Sequence, residues 1–282
     1  MDSVLVLIAA SGSGAITSEM ATRLSGKWLA EGEALEVSSE REAEVRKLSA
    51  GLPIDINLVP IANRRKKLLL ADMDSTMIQQ ECIDELGVVA GVGDYIKAVT
   101  ARSMRGEIDF EEALKERVAL LKDLPETVIQ QVIDTRLTFM PGGKVLLATM
   151  KKHGAYTALI SGGFTAFTSH VSQALGFHEN RANTLLVSDG RLTGKVGMPI
   201  LGKDAKVESL LRICSVHGLS QTDVLAVGDG ANDIPMLQAA GMGVALHAKP
   251  KVQEQAGFVV NHGDLTALLY LQGYSWETFV KS

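Results

Sequence analysis

The chain has 282 residues, 46% hydrophobic and 22% charged, with a formal net charge of -5. That size fits one large domain or two unequal ones with a sizeable buried core. The acidic balance argues against a broad nucleic-acid-binding face, and no apolar stretch reaches the ~18 residues of a membrane-crossing helix.

Cys82 and Cys214 are far apart and lack a C-x-x-C partner. They read as reduced, apolar fillers of a cytoplasmic protein. The histidines show no H-x3-H spacing, which argues against zinc. The N-terminus has no basic stretch and no small-residue cleavage site, so no signal peptide is expected.

Residues 1–65 read as a small α+β module. Val4 to Ala10 is a strand, and Ile16, Met20, Leu24 and Trp28 have helical spacing over 16–29. A short strand is expected at 34–37. A helix is expected over 39–48, opened by Ser39 and Glu42 as a capping box. A last strand runs from Ile56 to Ile61. The basic run Arg64 to Lys67 reads as a solvated linker.

From Lys66 onward, strands and helices alternate, which predicts a doubly wound, parallel, Rossmann-like α/β sheet. Strands are expected at 67–72, 156–160, 223–228, 242–246 and 257–260. Helices are expected at 142–152, 165–175, 203–216, 232–239, 249–255 and 264–271. Asp189-Gly190 marks the turn of a hairpin over 185–193. Between about 77 and 137 the pattern is all helical, punctuated by Gly91, Gly93 and Gly106, and predicts a helical cap inserted after the first core strand.

Four segments carry chemistry. Asp72 and Asp74 follow the apolar run 67–71, where the C-terminal ends of strands open onto a ligand crevice. Side chains at i and i+2 on a strand face the same way. Two crowded carboxylates are tolerated if they share a cation or if one holds a proton. Ser161-Gly162-Gly163 follows a strand and opens a helix, so its backbone N–H groups suit an anion. Asp229, Asn232 and Asp233 lie on a glycine-rich loop after the next strand and match the oxygen ligands of Mg²⁺. Lys206 opens the helix before that strand and can reach a phosphate as a point charge, with Lys203 as a rival.

In this order, Asp72-Met-Asp-Ser-Thr-Met77, Ser161-Gly-Gly-Phe164, Lys206 and Gly228-Asp-Gly-Ala-Asn-Asp-Ile234 resemble the haloacid-dehalogenase-like phosphohydrolases over about residues 66–272. With Met104-Arg-Gly-Glu-Ile-Asp-Phe110 and the run from Glu116 to Pro125, they look most like the phosphoserine phosphatase branch of that family. The first 65 residues resemble the ACT-like extension that some members carry. The resemblance implies Mg²⁺ and O-phosphoserine, a small-molecule substrate hydrolysed in the last step of serine biosynthesis. It implies that Asp72 attacks phosphorus and that Asp74 is the acid and base. Mg²⁺ would lie on Asp72, the Asp74 carbonyl and Asp229. Ser161, Gly162 and Lys206 would hold the phosphoryl oxygens, and Asn232 and Asp233 would order the metal's surroundings or Lys206. Glu81 would hold the ammonium and Arg117 the carboxylate, with Met104 and Phe110 walling the pocket. A homodimer through the N-terminal module is a further expectation. Every candidate residue lies after 65, so residues 66–282 are expected to retain catalysis alone.

A phosphoacceptor switch is the alternative from another class, but an acid/base placed at Asp74 would speed its hydrolysis. A dinucleotide site at Gly12-Ser-Gly14 is weakened by Thr17 at the third glycine position. Among phosphatases, the alternative is a cap-bearing enzyme acting on another small phosphomonoester or transferring the phosphoryl group.

Overall fold

The computed structural model describes residues 2–104 and 107–281, with the Met104 side chain outside that description. Arg105 and Gly106 of the cap motif therefore lie outside the described residues.

The N-terminal elements are β1 (Ser3–Ala9), α1 (Ser18–Arg23), β2 (Lys27–Ala30), β3 (Ala34–Ser38), α2 (Glu42–Leu48) and β4 (Ile54–Pro60). The strands form one antiparallel sheet in the order β2-β3-β1-β4. Leu5, Leu7, Met20, Leu24, Leu35 and Val45 share its core. The chain order is β-α-β-β-α-β, a split β-α-β arrangement with one strand more than the periodicity predicts. The helix expected over 16–29 stops at Arg23. Ser25 takes a φ of 49°, and a Cβ on Gly26 would lie 2.7 Å from Leu35 Cγ. The chain turns there, and Lys27–Ala30 pairs with β3. Nor does the capping box at Ser39 form: the Ser38 hydroxyl accepts from the Glu40 N–H instead, and α2 has no side-chain cap.

Beyond the linker, β5 (Leu68–Ala71) leads into four cap helices, α3 (Cys82–Val89), α4 (Gly93–Met104), α5 (Phe110–Ala119) and α6 (Thr127–Arg136). Then follow α7 (Gly143–Lys152), β6 (Tyr156–Phe164), α8 (Thr165–Leu175), β7 (Glu179–Asn183) and the hairpin β8 (Leu185–Ser188) with β9 (Arg191–Val196). The chain ends with α9 (Lys203–His217), β10 (Val224–Gly228), α10 (Ile234–Ala239), β11 (Met242–Leu246), α11 (Pro250–Gln253), β12 (Phe258–Val260) and α12 (Ala267–Leu271). Six strands make one sheet in the order β12-β11-β10-β5-β6-β7, with parallel pairing at β10–β11, β11–β12 and β6–β7. All residues of β5, β10 and β11 are buried, as expected of strands covered on both faces. The chain leaves β5 for β6 on one side and later returns to β10 on the other. That reversal marks the switch point where such sheets bind ligands, and Asp72 follows β5 there.

The sequence pattern missed β7. Glu179-Asn-Arg-Ala-Asn183 is polar because it is an edge strand, buried only at Ala182 and Asn183. The chain divides into two compact units, one of residues 1–70, 140–157 and 210–282 and the other of 71–139 and 158–209.

Within the first unit the N-terminal module is tied to the end of the chain. Asn57 bonds both the N–H and the carbonyl of Val259 at 2.9 Å, as a neighbouring strand would. Asp55, buried, accepts from the N–H groups of Asn261, His262 and Gly263 at 2.8, 2.9 and 3.1 Å. Arg64 donates to the carbonyls of Leu271 and Tyr270 while pairing with Glu36. The run from Arg64 is thus not simply a solvated linker. Lys66 is buried as well, and its ammonium donates to the carbonyls of Asn63 and Thr222.

Candidate active site

The loop after β5 folds around one carbonyl. The N–H groups of Thr76, Met77 and Ile78 all point at the Met73 oxygen, at 3.3, 2.9 and 3.1 Å. Ser75 takes the left-handed region, φ 54°, to close the turn. Asp72 is buried, and Lys206 Nζ lies 2.7 Å from its Oδ1. The Lys206 side chain is only 2% exposed. An ammonium so deeply buried needs a paired anion, since the uncompensated charge costs several kcal/mol. Lys203, one turn earlier on α9, is exposed. Of the two rivals, Lys206 is the one placed on Asp72.

Asp74 has a different environment. Its Oδ1 accepts the Cys82 N–H at 3.1 Å, at the start of α3. Burial, and then the nearby Glu81 charge, push its carboxyl up to about 7. Two acids two residues apart thus divide into one held by a cation and one kept partly neutral, the division expected of a nucleophile beside a general acid.

Facing them, β6 runs through Ser161-Gly162-Gly163 into α8. The Gly163 N–H donates to Ser161 Oγ at 2.9 Å. A Cβ on Gly163 would lie 2.8 Å from Asp74 Oδ2 and 3.1 Å from Ser161 Oγ. An alanine there would push the Asp74 carboxylate and the Ser161 hydroxyl out of place, so Gly163→Ala should lower turnover while melting stays near that of the unsubstituted protein. Unchanged kcat would remove Gly163 from the site. A Cβ on Gly162 would meet the Phe110 ring at 3.2 Å, so Phe110 at the start of α5 does lie over this loop. Nothing is described of the Met104 side chain.

In the cap, Glu81 is exposed and accepts the Ser75 hydroxyl at 2.7 Å. Arg117 is half-buried, which lowers its pKa, opposed by the charges of Asp84, Glu81 and Asp74. Its Nε donates to the Ala113 carbonyl at 3.2 Å and its Nη1 to Thr100 Oγ1 at 3.3 Å. Thr100 and Asp84, whose pKa burial raises, are not marked in the sequence, and Cys82 reads there only as an apolar filler. No spacing rule marks residues that act on other side chains.

On the loop after β10, Asp233 Oδ2 accepts the Gly230 N–H at 3.0 Å, and a Cβ on Gly230 would lie 2.3 Å from Asn232 Oδ1. Asp72, Asp229 and Asp233 each offer a carboxylate oxygen, all within 4.8 Å of one another. An all-oxygen anionic donor set fits a hard divalent cation such as Mg²⁺. The set includes Asp233, which the motif reading placed outside the metal ligands.

The parallel sheet, inserted cap and acid-lined strand ends define a hydrolase of the α/β class. The haloacid dehalogenase-like hydrolase model matches residues 69–238, and the chain belongs to that family. The phosphoserine phosphatase of Haemophilus influenzae is 46% identical over 204 residues, 72% of this chain and 65% of its own, so the chain spans just under two thirds of that relative's length. The phosphoserine phosphatase of a Polaromonas species is 42% identical over 229 residues, covering 79% of this chain and 97% of its own. The crystal structure of a probable phosphoserine phosphatase from Vibrio cholerae, unliganded, superposes with a TM-score of 0.81 at 32% identity, covering 98% of this chain and 88% of its own. Among the described residues, no helix is long and apolar enough to cross a membrane.

Proposed function

We propose that this protein is a phosphoserine phosphatase that hydrolyses O-phospho-L-serine to L-serine and phosphate, the last step of serine biosynthesis. The carrying observation is the pair of unlike acids: Asp72 held by buried Lys206, and Asp74 raised to about 7 beside the Ser161 to Gly163 loop. The names of the relatives support the substrate. In this reading residues 1–65 are an ACT-like module, 66–282 the core and about 77–137 its cap. The protein works in the cytoplasm, in keeping with two free buried cysteines, and a homodimer through the N-terminal module is measurable by sedimentation.

The Asp72 carboxylate attacks phosphorus and forms an aspartyl phosphate. The serine oxygen leaves with the proton of Asp74. Asp74 then takes a proton from water as that water attacks phosphorus, phosphate departs, and the Asp72 carboxylate is restored. Ser161, the Gly162 N–H and Lys206 hold the transferring oxygens. Asp72, the Asp74 carbonyl and Asp229 would hold Mg²⁺. Asp233 lies close enough to join them, but its Oδ2 already accepts the Gly230 N–H, so with Asn232 it would order the ion's surroundings or Lys206. When bound, the ion offsets repulsion between carboxylate and phosphate.

Chelation should abolish turnover, Mg²⁺ should restore it, and Ca²⁺ should inhibit, because Ca²⁺ takes more oxygen ligands at longer distances. Full activity in excess chelator would refute the metal assignment.

Phosphoserine also carries an ammonium and a carboxylate. Glu81 and Arg117, which feel each other's charge, suit those ends, and Phe110 walls the pocket where its ring lies over Gly162. Arg117→Lys cannot reproduce a bidentate grip. It should cost phosphoserine kcat/KM about 1.5–3 kcal/mol, the range for charged hydrogen bonds. An aryl phosphate, lacking the carboxylate, should suffer much less. Equal losses on both substrates, or none, would remove Arg117 as the clamp.

A further inference from the structure

Asn183 ends β7 and is only 2% exposed. Its side-chain N–H groups donate to the Gly162 carbonyl at 2.8 Å and the Leu201 carbonyl at 3.2 Å. Its Oδ1 accepts the Leu201 N–H at 2.7 Å. The carboxamide therefore joins two backbone segments that no strand ladder joins. One carries Ser161 and Gly162. The other leads through Gly202 into α9, which carries Lys206 in its first turn.

The register of the sheet explains why such a joint is needed. Ile160 pairs with Arg181, but Phe164 pairs with Asn183, so β6 spends four residues where β7 spends two. Ser161, Gly162 and Gly163 bulge out of the ladder, and a bulge leaves backbone groups unpaired. Asn183 takes up the Gly162 carbonyl within that bulge. The Phe110 ring lies against both tied segments: a Cβ on Gly162 would be 3.2 Å from Phe110 Cζ and one on Gly202 3.7 Å from Cδ1.

We propose that Asn183 is a positioning residue that fixes the bulged Ser161-Gly162-Gly163 loop relative to the start of the Lys206 helix, setting the spacing of the groups that grip the phosphoryl oxygens. This rests on the phosphate-site reading above. Asn183 reaches the phosphate only through the Gly162 peptide and α9, so its loss misplaces both grips at once. A plain packing residue would lower stability and leave the properties of folded enzyme unchanged.

The test uses full-length Asn183→Leu, close in volume without polar atoms, and Asn183→Ser, which keeps a small polar group. Both are compared with Ser161→Ala and Lys206→Ala by kcat and KM on phosphoserine and on an aryl phosphate, by inhibition with inorganic phosphate, and by thermal melting. Assays run well below each melting temperature. We expect folded Asn183 variants to lose kcat on the order of tenfold to a hundredfold, the range for removing a group that orients site residues. The loss should be equal on both substrates and accompanied by weaker phosphate inhibition. Unchanged kcat and phosphate inhibition in a folded variant would overturn the proposal, as would a loss confined to phosphoserine. Failure of both variants to fold would also overturn it, since Asn183 would then be structural. If Ser161→Ala and Lys206→Ala keep full turnover, the phosphate-site reading fails instead. If those two are crippled and the Asn183 variants are not, only this inference fails.

Discussion

Replacing Asp72 by asparagine is expected to lower turnover on the order of 10⁴-fold or more, the scale seen when a covalent nucleophile is removed. An amide oxygen cannot form the aspartyl phosphate. The fold should survive, because that oxygen can still accept from the Lys206 ammonium 2.7 Å away. Asp72→Ala differs: it strands a buried cation, at about 3–5 kcal/mol. The pair of variants separates chemistry from stability. Acid-quenched wild-type enzyme, mixed with labelled phosphoserine, should carry label on Asp72, and the asparagine variant should carry none. Turnover of Asp72→Asn near the wild-type rate would sink the assignment.

How much of this was legible beforehand follows from what kind of residue is involved. Asp72, Asp74, Ser161, Gly162 and Lys206 stand at strand and helix ends, and those ends are marked by apolar periodicity and glycines. Buried strands such as Leu68–Ala71 and Val224–Gly228 read as unbroken apolar runs. The polar edge strand Glu179–Asn183 carried no such signal, and Asn183 was hidden with it. Lys203 and Lys206 could not be separated by spacing. Only packing shows that one is exposed and the other sits on Asp72. The extra N-terminal strand was lost because Met20, Leu24 and Trp28 keep helical spacing across a turn. There the left-handed Ser25 and the tight Gly26 decide the backbone.

The N-terminal module gives the other large effect. Sequence position alone suggests that residues 66–282 form a free-standing enzyme. The contacts argue otherwise. Removing residues 1–65 takes away Asp55 from three N–H groups, Asn57 from both sides of Val259, and Arg64 from two carbonyls. It also takes Glu33 from the Tyr270 hydroxyl. Water reaches many of those groups once the module is gone, so each lost hydrogen bond costs about 0.5–1.5 kcal/mol, or about 1.5–3 where one partner is charged. Together with the uncovering of buried α12, which packs on β1, these losses rival the ~5–15 kcal/mol stability of a whole domain. The fragment 66–282 is therefore expected to be insoluble or to lack a cooperative unfolding transition. The point variant Asp55→Ala isolates the strongest part of this joint. It should lower unfolding free energy in urea by about 3 kcal/mol, the upper end for one lost charged hydrogen bond, because partial rehydration of the turn at 261–263 offsets the others. Turnover per folded molecule should stay at the wild-type level. Asp55 makes none of its described hydrogen bonds to a candidate site residue. A fragment 66–282 that unfolds cooperatively and turns over substrate would show the module to be separable. A loss below about 1 kcal/mol in Asp55→Ala would show that the carboxylate cap is not what joins it.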